Sequence, residues 1–217
     1  KAELDADGTL SLPLSLSQED LRSAVPKELN AQIQQRISIL AEDDIMILEA
    51  AAQIGRVFSI DLLSVGLNMD RLSLLRKLRR IEDDSHLVID SDKSDDNMTL
   101  ESEALRNNLY ARATKKSSKE NRELFKEFHS SIVHHLVEMD GQYPAVQVMN
   151  HALKAGDRMK RNAMLFGLKA MNGSIQKFAW VETLDVINKL ETAELHETGD
   201  HSSNHQITYG KAKALRG

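Results

Sequence analysis

LLRKLRRIEDDSHLVIDSDKSDDNMTLESEALRNNLY, running from Leu74 to Tyr110, decides the fold of this 217-residue chain. A helix begins near Asp70, with Leu72, Leu75 and Leu78 expected to face inward. HLVID and NMTL then read as two short strands joined by the acidic turn SDKSDD. EALRNNLYARA resumes helical spacing through Leu105, Leu109 and Ala113.

Working outward toward the N-terminus, KELNAQIQQRISIL places Leu29, Ile33, Ile37 and Leu40 on one stripe, with Pro26 suited to the start of the helix. AEDDIMILEAAAQIG repeats the pattern with Ile45, Leu48 and Ala52, opens with acids and stops at Gly55. These two helices are expected to form a hairpin. Ser59 caps a short helix, SIDLLSVGL, that ends near Gly66. The resulting order, three helices, a two-stranded wing and a further helix, is that of a winged helix, assigned to residues 26–115. Residues 1–25 read as an extended lead-in from an upstream domain; Leu10 and Leu12 suggest a lone strand beside the Asp7-Gly8 turn, its partner expected upstream.

Toward the C-terminus, a long helix from Lys119 aligns Phe125, Phe128, Ile132 and Leu136 and breaks at Asp140-Gly141. YPAVQVMNHALKAGD, RMKRNAMLFGLKAMNGS and FAWVETLDVINKLETA follow as successive helices, with Ala152, Ala163, Ala170 and Ala179 where helices approach closely. Residues 116–192 are therefore expected to form a tetratricopeptide-like helical-hairpin array, and the polar tail 193–217 to be flexible. The fold class expected is mainly α.

Composition agrees. A 41% hydrophobic content with only 4% aromatic residues favours helices packed through Leu, Ile, Ala and Met. The absence of cysteine excludes disulfides, zinc-thiolate sites and thiol catalysis. No apolar run approaches the ~20 residues needed to cross a bilayer, so no membrane partner and a cytoplasmic location are expected. A net charge of −5 gives no global attraction to nucleic acid.

One basic surface stands out. Arg71, Arg76, Lys77, Arg79 and Arg80 occupy the recognition-helix position of a DNA-reading winged helix. The wing beside them carries Asp90, Asp92, Asp95 and Asp96 against only Lys93, which repels phosphates, and Glu82, Asp83 and Asp84 follow directly. A charged protein or interdomain face is the favoured reading; DNA contact is not.

His129, His134, His135 and His151 lie on neighbouring helices, but their spacings do not match an i,i+3 or i,i+4 metal pair and no HExxH occurs, so no metal site is expected. There is no GxSxG elbow, no frame of paired carboxylates and no GxxxxGK[ST] phosphate loop; GDRMKRN at Gly156 lacks its second glycine and Lys-Ser/Thr pair. No catalytic residue is assigned. Met139, Met149, Met159, Met164 and Met171 read as core filler, and Trp180 as an anchor between helices.

VPKELNAQIQQRISIL, ILEAAAQIGRVFSIDLL, LLRKLRRIEDDSHLVI, MTLESEALRNNLYARAT and RELFKEFHSSIVHHL, taken in order, resemble the segment after the nucleotide-binding core in signalling ATPases of the STAND group, those found beside adenylate cyclase, histidine kinase or LuxR-type output domains. The likeness spans roughly residues 10 to 190 and rests on Pro26, Ala50 to Ala52, Gly55, Phe58, Leu100, Leu109-Tyr110 and Phe128-His129. It implies a non-catalytic regulatory fragment, a lid and relay between an upstream P-loop core, which would bind ATP or ADP with Mg, and a partner-sensing helical region. The family's histidine that contacts ADP after the wing falls at Ser102, which can donate a hydrogen bond but carries no charge. From the residues alone, Ser102 is the N-cap of EALRNNLY. Two alternatives from other classes are a DNA-binding transcription regulator using Arg76, Lys77, Arg79 and Arg80, and a helical protein-interaction scaffold.

Overall fold

The computed structural model describes residues 3–4, 10–11, 27–90, 96–115, 119–139, 141–193 and 201–216. Pro26, the Asp7-Gly8 turn, Leu12 and the wing tip with Asp92, Lys93 and Asp95 lie outside them. The protein is mainly α-helical, with a small three-stranded antiparallel sheet.

Two short strands open the chain. Glu3–Leu4 (β1) and Leu10–Ser11 (β2) pair antiparallel, with Leu4 opposite Leu10. The strand expected to seek a partner upstream therefore finds one within the chain.

Helix α1, Lys27–Ser38, buries Ile33 and Ile37. It packs on α5, Glu103–Lys115, and the expected hairpin with α2, Glu42–Ile54, does not form. Polar ties explain the choice: Gln34 and Asn30 both bond Asn108, and Arg36 reaches Glu101 at 2.6 Å. In α2 the acids Glu42, Asp43 and Asp44 occupy the first turn, where the helix dipole favours negative charge, and the Gly55 N–H closes the end by donating to the Ala51 carbonyl.

Val57–Ser59 forms β3, and Ser59 then caps α3, Ile60–Leu67, by accepting from the Leu62 N–H. Asn68, at φ 49°, turns the chain out of α3. Asp70 caps α4, Arg71–Ser85, accepting from the Ser73 N–H at 2.8 Å. The buried face of α4 is Leu74, Leu78 and Ile81, at i, i+4 and i+7; Leu72 is 54% exposed and Leu75 only half-buried, so the stripe lies on a different face from the one the sequence suggested.

β4, Val88–Asp90, and β5, Asn97–Leu100, pair antiparallel as expected, but β3 adds to the far side of β5 with Phe58 opposite Met98. The expected two-stranded wing is thus one side of a three-stranded sheet in the order β3-β5-β4. Three residues are too few for alternation to announce a strand. Phe58, Val88, Met98 and Leu100 are all buried in the core, β3 lying on α2 and α3, β4 on α4 and β5 on α5.

Beyond α5 the chain is helical: α6, Lys119–Glu138; α7, Ala145–Ala155; a 3-10 turn, Gly156–Met159; α8, Lys160–Gln176; α9, Trp180–Thr192; and α10, His201–Ala214. Consecutive helices from α6 to α10 pack on one another, α10 also reaches α8, and α6 leans back on α3. Glycines set these approaches. A Cβ on Gly66 would meet the Phe128 ring, one on Gly167 would stand 2.7 Å from Leu190, and one on Gly210 2.6 Å from Met171. The segment expected to be a flexible tail includes α10, which buries Ile207 and ties Lys211 to Glu191 at 2.8 Å. One contiguous core, from Ile33 to Ile207, joins the sheet-bearing part to the helical part.

Candidate functional site

The basic face of α4 is where sequence reasoning placed the strongest candidate, and its charges are spent inside the chain. Arg71 bridges Asp61 of α3 and Asp96 beside β5. Arg79 reaches Glu82 at 2.8 Å and Asp90 of β4 at 2.6 Å, and these hydrogen bonds hold its guanidinium even more firmly protonated than usual. Arg80 holds both carboxylate oxygens of Asp44, at 2.7 and 2.8 Å, and Lys77 stands 3.4 Å from Asp43. Arg76 is exposed, and its charge acts on the Asp70 carboxylate at the helix N-cap, where the Ser73 hydrogen bonds, helped by that charge, hold the carboxyl below its usual range.

Asp90 of β4 and Asp96 beside β5, expected only to repel DNA, thus tie the sheet to α4. An arginine already engaged by carboxylates has its charge compensated locally, and breaking its pairs would offset much of what a phosphate contact gains.

Ser102 is an N-cap. Its Oγ accepts from the Leu105 N–H at 3.1 Å, and its carbonyl accepts from the Arg106 N–H at 3.1 Å. Carboxylates flank it on both sides, Glu101 paired with Arg36 and Glu103 3.5 Å from Arg106. That surrounding favours the helix dipole over an approaching phosphate.

A second cluster lies where the sheet-bearing part meets α6 and α7; the sequence singled out His129 and His151 but not their contact. His129 of α6 and His151 of α7 are both buried, with Nδ1 to Nδ1 at 2.9 Å, so one neutral ring donates and the other accepts. Burial, together with the nearby Lys154 charge, pushes both imidazoles down, His129 to about 2 and His151 to about 4. They are uncharged near neutral pH.

Beside them, Lys154 donates to the Gln53 carbonyl at 2.9 Å and Arg106 Nε donates to the Ala52 carbonyl at 3.1 Å. Both cations therefore meet the C-terminal carbonyls of α2, where the macrodipole welcomes them. Tyr110 lies under both, with its ring 5.0 Å from the Arg106 guanidinium and 5.4 Å from the Lys154 ammonium. Burial and the Arg106 charge lower Lys154 to about 8. The sequence signal was thin: His129 and His151 lie 22 positions apart, and nothing in the periodicity of either helix points one at the other.

An open cleft of about 630 Å³ lies between the α3–α4 corner and α6 and is lined by Ser64, Asn68, Asp70, Glu127, Ser131 and His134. Among the described residues no group of three or more His, Asp or Glu is arranged to hold a metal ion, and no helix is long and apolar enough to cross a membrane. The methionines Met149, Met159, Met164 and Met171 are buried. Trp180 opens α9 half-buried, with Phe178 75% exposed beside it. Comparison with protein families, curated proteins and solved structures returned no match.

Proposed function

We propose that this chain is a non-catalytic regulatory module of a STAND-type signalling ATPase, a winged helix continued by a tetratricopeptide-like array, acting as lid and relay between a P-loop core and a protein partner. The order helix, strand, two helices, strand, turn, strand, with the sheet arranged β3-β5-β4, supports the winged-helix part. The packing of each helix from α6 to α9 on the next, through short connections, supports the array.

The observation that carries the reading is the occupied basic face of α4. A winged helix whose recognition-helix arginines are tied to Asp44, Asp61, Asp90 and Asp96 is better suited to hold its own parts in register than to read DNA. The contacts of Lys154 and Arg106 with α2 favour movement of the module as one rigid body, which is what a relay requires.

Two experiments test this. A fluorescent random-sequence DNA duplex titrated with the protein at low salt is expected to show no saturable binding. Binding that falls steeply with salt and disappears when Arg76, Lys77, Arg79 and Arg80 become Ala would instead establish the DNA-binding alternative. Peptide sequencing of the native polypeptide upstream of Lys1 is expected to find a P-loop and an acidic strand within about 300 residues, the span a P-loop domain needs. With such a core present, Ser102→His is expected to tighten ADP retention by supplying a chargeable donor. A native chain without that core would leave a helical scaffold as the better account.

A further inference from the structure

We propose that the pocket enclosed by the end of α5, the first half of α6 and the end of α7 binds a small oxyanion of the phosphate class. Lys154, Lys126 and Arg122 line it, with Thr114, Asn121 and Phe125 completing the wall. Its volume, about 250 Å³, admits a phosphate group and falls below the ~300–1,000 Å³ typical of drug-sized ligands.

Three cations share this one concavity in a chain whose net charge is −5. Lys154 offers three N–H donors, of which the Gln53 carbonyl takes one. Tyr110 meets the ammonium with its ring, and no carboxylate reaches it among the described residues. Arg122 likewise has no carboxylate partner among them, and its planar fork suits two oxygens of one phosphate.

Lys126 is placed by its stem. Gly156, at φ +76°, has no side chain, and the Lys126 Cε passes 3.7 Å from where a Cβ would stand. Glu123 pairs with Lys126 at 3.1 Å and also lies 3.7 Å from Arg158, a cation outside the pocket. Thr114 spends its proton on the Tyr110 carbonyl at 2.9 Å and adds no donor, so binding rests on the cations. Arg112, the other arginine of this region, is held by Glu49 at 2.8 Å and is not offered.

Burial strengthens the site. A half-buried ammonium interacts with an anion through a medium less polar than water, so each contact is less screened than at an open surface. The lowered pKa of Lys154 agrees, since a charge that burial makes costly is one that an anion relieves.

This inference does not rest on the relay reading, because it concerns α5 to α7 and holds whether or not a P-loop core lies upstream. The full chain is titrated with inorganic phosphate in a calorimeter, with sodium chloride holding ionic strength constant and sodium acetate as a parallel arm. Saturable heat with phosphate is expected, weakened at least tenfold in Lys154→Met and at least threefold in Arg122→Gln, whose exposed side chain leaves the fold intact. Absence of saturable phosphate binding, or unchanged affinity in Arg122→Gln, would overturn the site. Acetate binding as tightly as phosphate would overturn the assignment to phosphate.

Discussion

Residues 27–115 and 119–214 are nearly equal lengths of chain held together by different forces. In the first, arginines cross between elements: Arg36 to Glu101, Arg71 to Asp61 and Asp96, Arg79 to Asp90, Arg80 to Asp44 and Arg112 to Glu49. In the second, side chains seat on bare backbone, Leu190 at Gly167 and Met171 at Gly210, beside the ion pairs Arg158 to Glu127 and Lys211 to Glu191, while the polar pair in its core, His129 and His151, is uncharged. A three-stranded sheet of very short strands gives little apolar area, so directional charge pairs fix how α4 and the sheet lie. A stack of helices has apolar faces to spare, and there volume decides. The first region should thus respond to removal of charge, and the second to protons and added volume.

The largest effect expected is that of acid on the helical region. An unfolded histidine titrates near 6.5, whereas the folded chain holds His129 at about 2 and His151 at about 4. Between pH 6.5 and 4 the unfolded chain binds more protons than the folded one. This contribution is fully present above pH 6.5 and is lost as pH falls toward 4, by about 3 kcal/mol from His151 alone. Urea denaturation between pH 7 and 4.5 is expected to show a shallower loss in His151→Gln than in the parent chain. Equal slopes would mean that the imidazole pair is not where acid acts.

Next comes volume. At the seam of the two regions, Gly66 of α3 faces the Phe128 ring of α6, and Phe128 is buried. Gly66→Val pushes that ring into a filled core and is expected to cost about 2 kcal/mol by overpacking, a drop of roughly 4–8 °C in Tm for a chain of this size. A variant as stable as the parent would show that the contact between α3 and α6 is loose, and would weaken the argument for one rigid body.

How legible this was in the sequence follows the same divide. The α4–β4–β5–α5 order was readable because caps and periodicity are local: Asp70 and Ser102 bond N–H groups three residues on. β3 was not, since three residues of VFS carry no period and only pairing with β5 makes them a strand. Leu72 was misplaced because Leu72, Leu75 and Leu78 recur every three residues, while the core selected Leu74, Leu78 and Ile81. α10 was missed because its polar composition hides an apolar contact made through Ile207 and the bare Gly210. The basic residues of the candidate face were found, but their carboxylate partners lie up to 36 positions away, a distance no local pattern encodes. The pocket at Lys154 joins three helices and was invisible for the same reason.

Within the charged region, removing one arginine should matter only where it leaves an acid buried. Asp44 is 5% exposed, so Arg80→Ala strands a carboxylate that solvent barely reaches. Because Arg80 is itself half in solvent, the loss expected is about 1–2 kcal/mol, below the ~3–5 kcal/mol of a fully buried pair. A chemical-denaturation midpoint unchanged in Arg80→Ala would reduce the arginine ties to surface decoration.

The smallest effect sharpens the contrast most, because it compares two arginines on one helix. Arg76 is exposed and, among the described residues, acts only through its charge on Asp70, a carboxylate in solvent. Arg76→Ala is expected to change stability by less than about 0.5 kcal/mol, as surface substitutions away from special features do. A loss equal to that of Arg80→Ala would mean that α4 depends on its summed charge and not on individual pairs. In that case the occupied face could no longer distinguish an internal clamp from a DNA-reading helix. A neutral Arg76→Ala beside a damaging Arg80→Ala would instead place the stabilisation in the Asp44 contact, where geometry selects one arginine and leaves its neighbour idle.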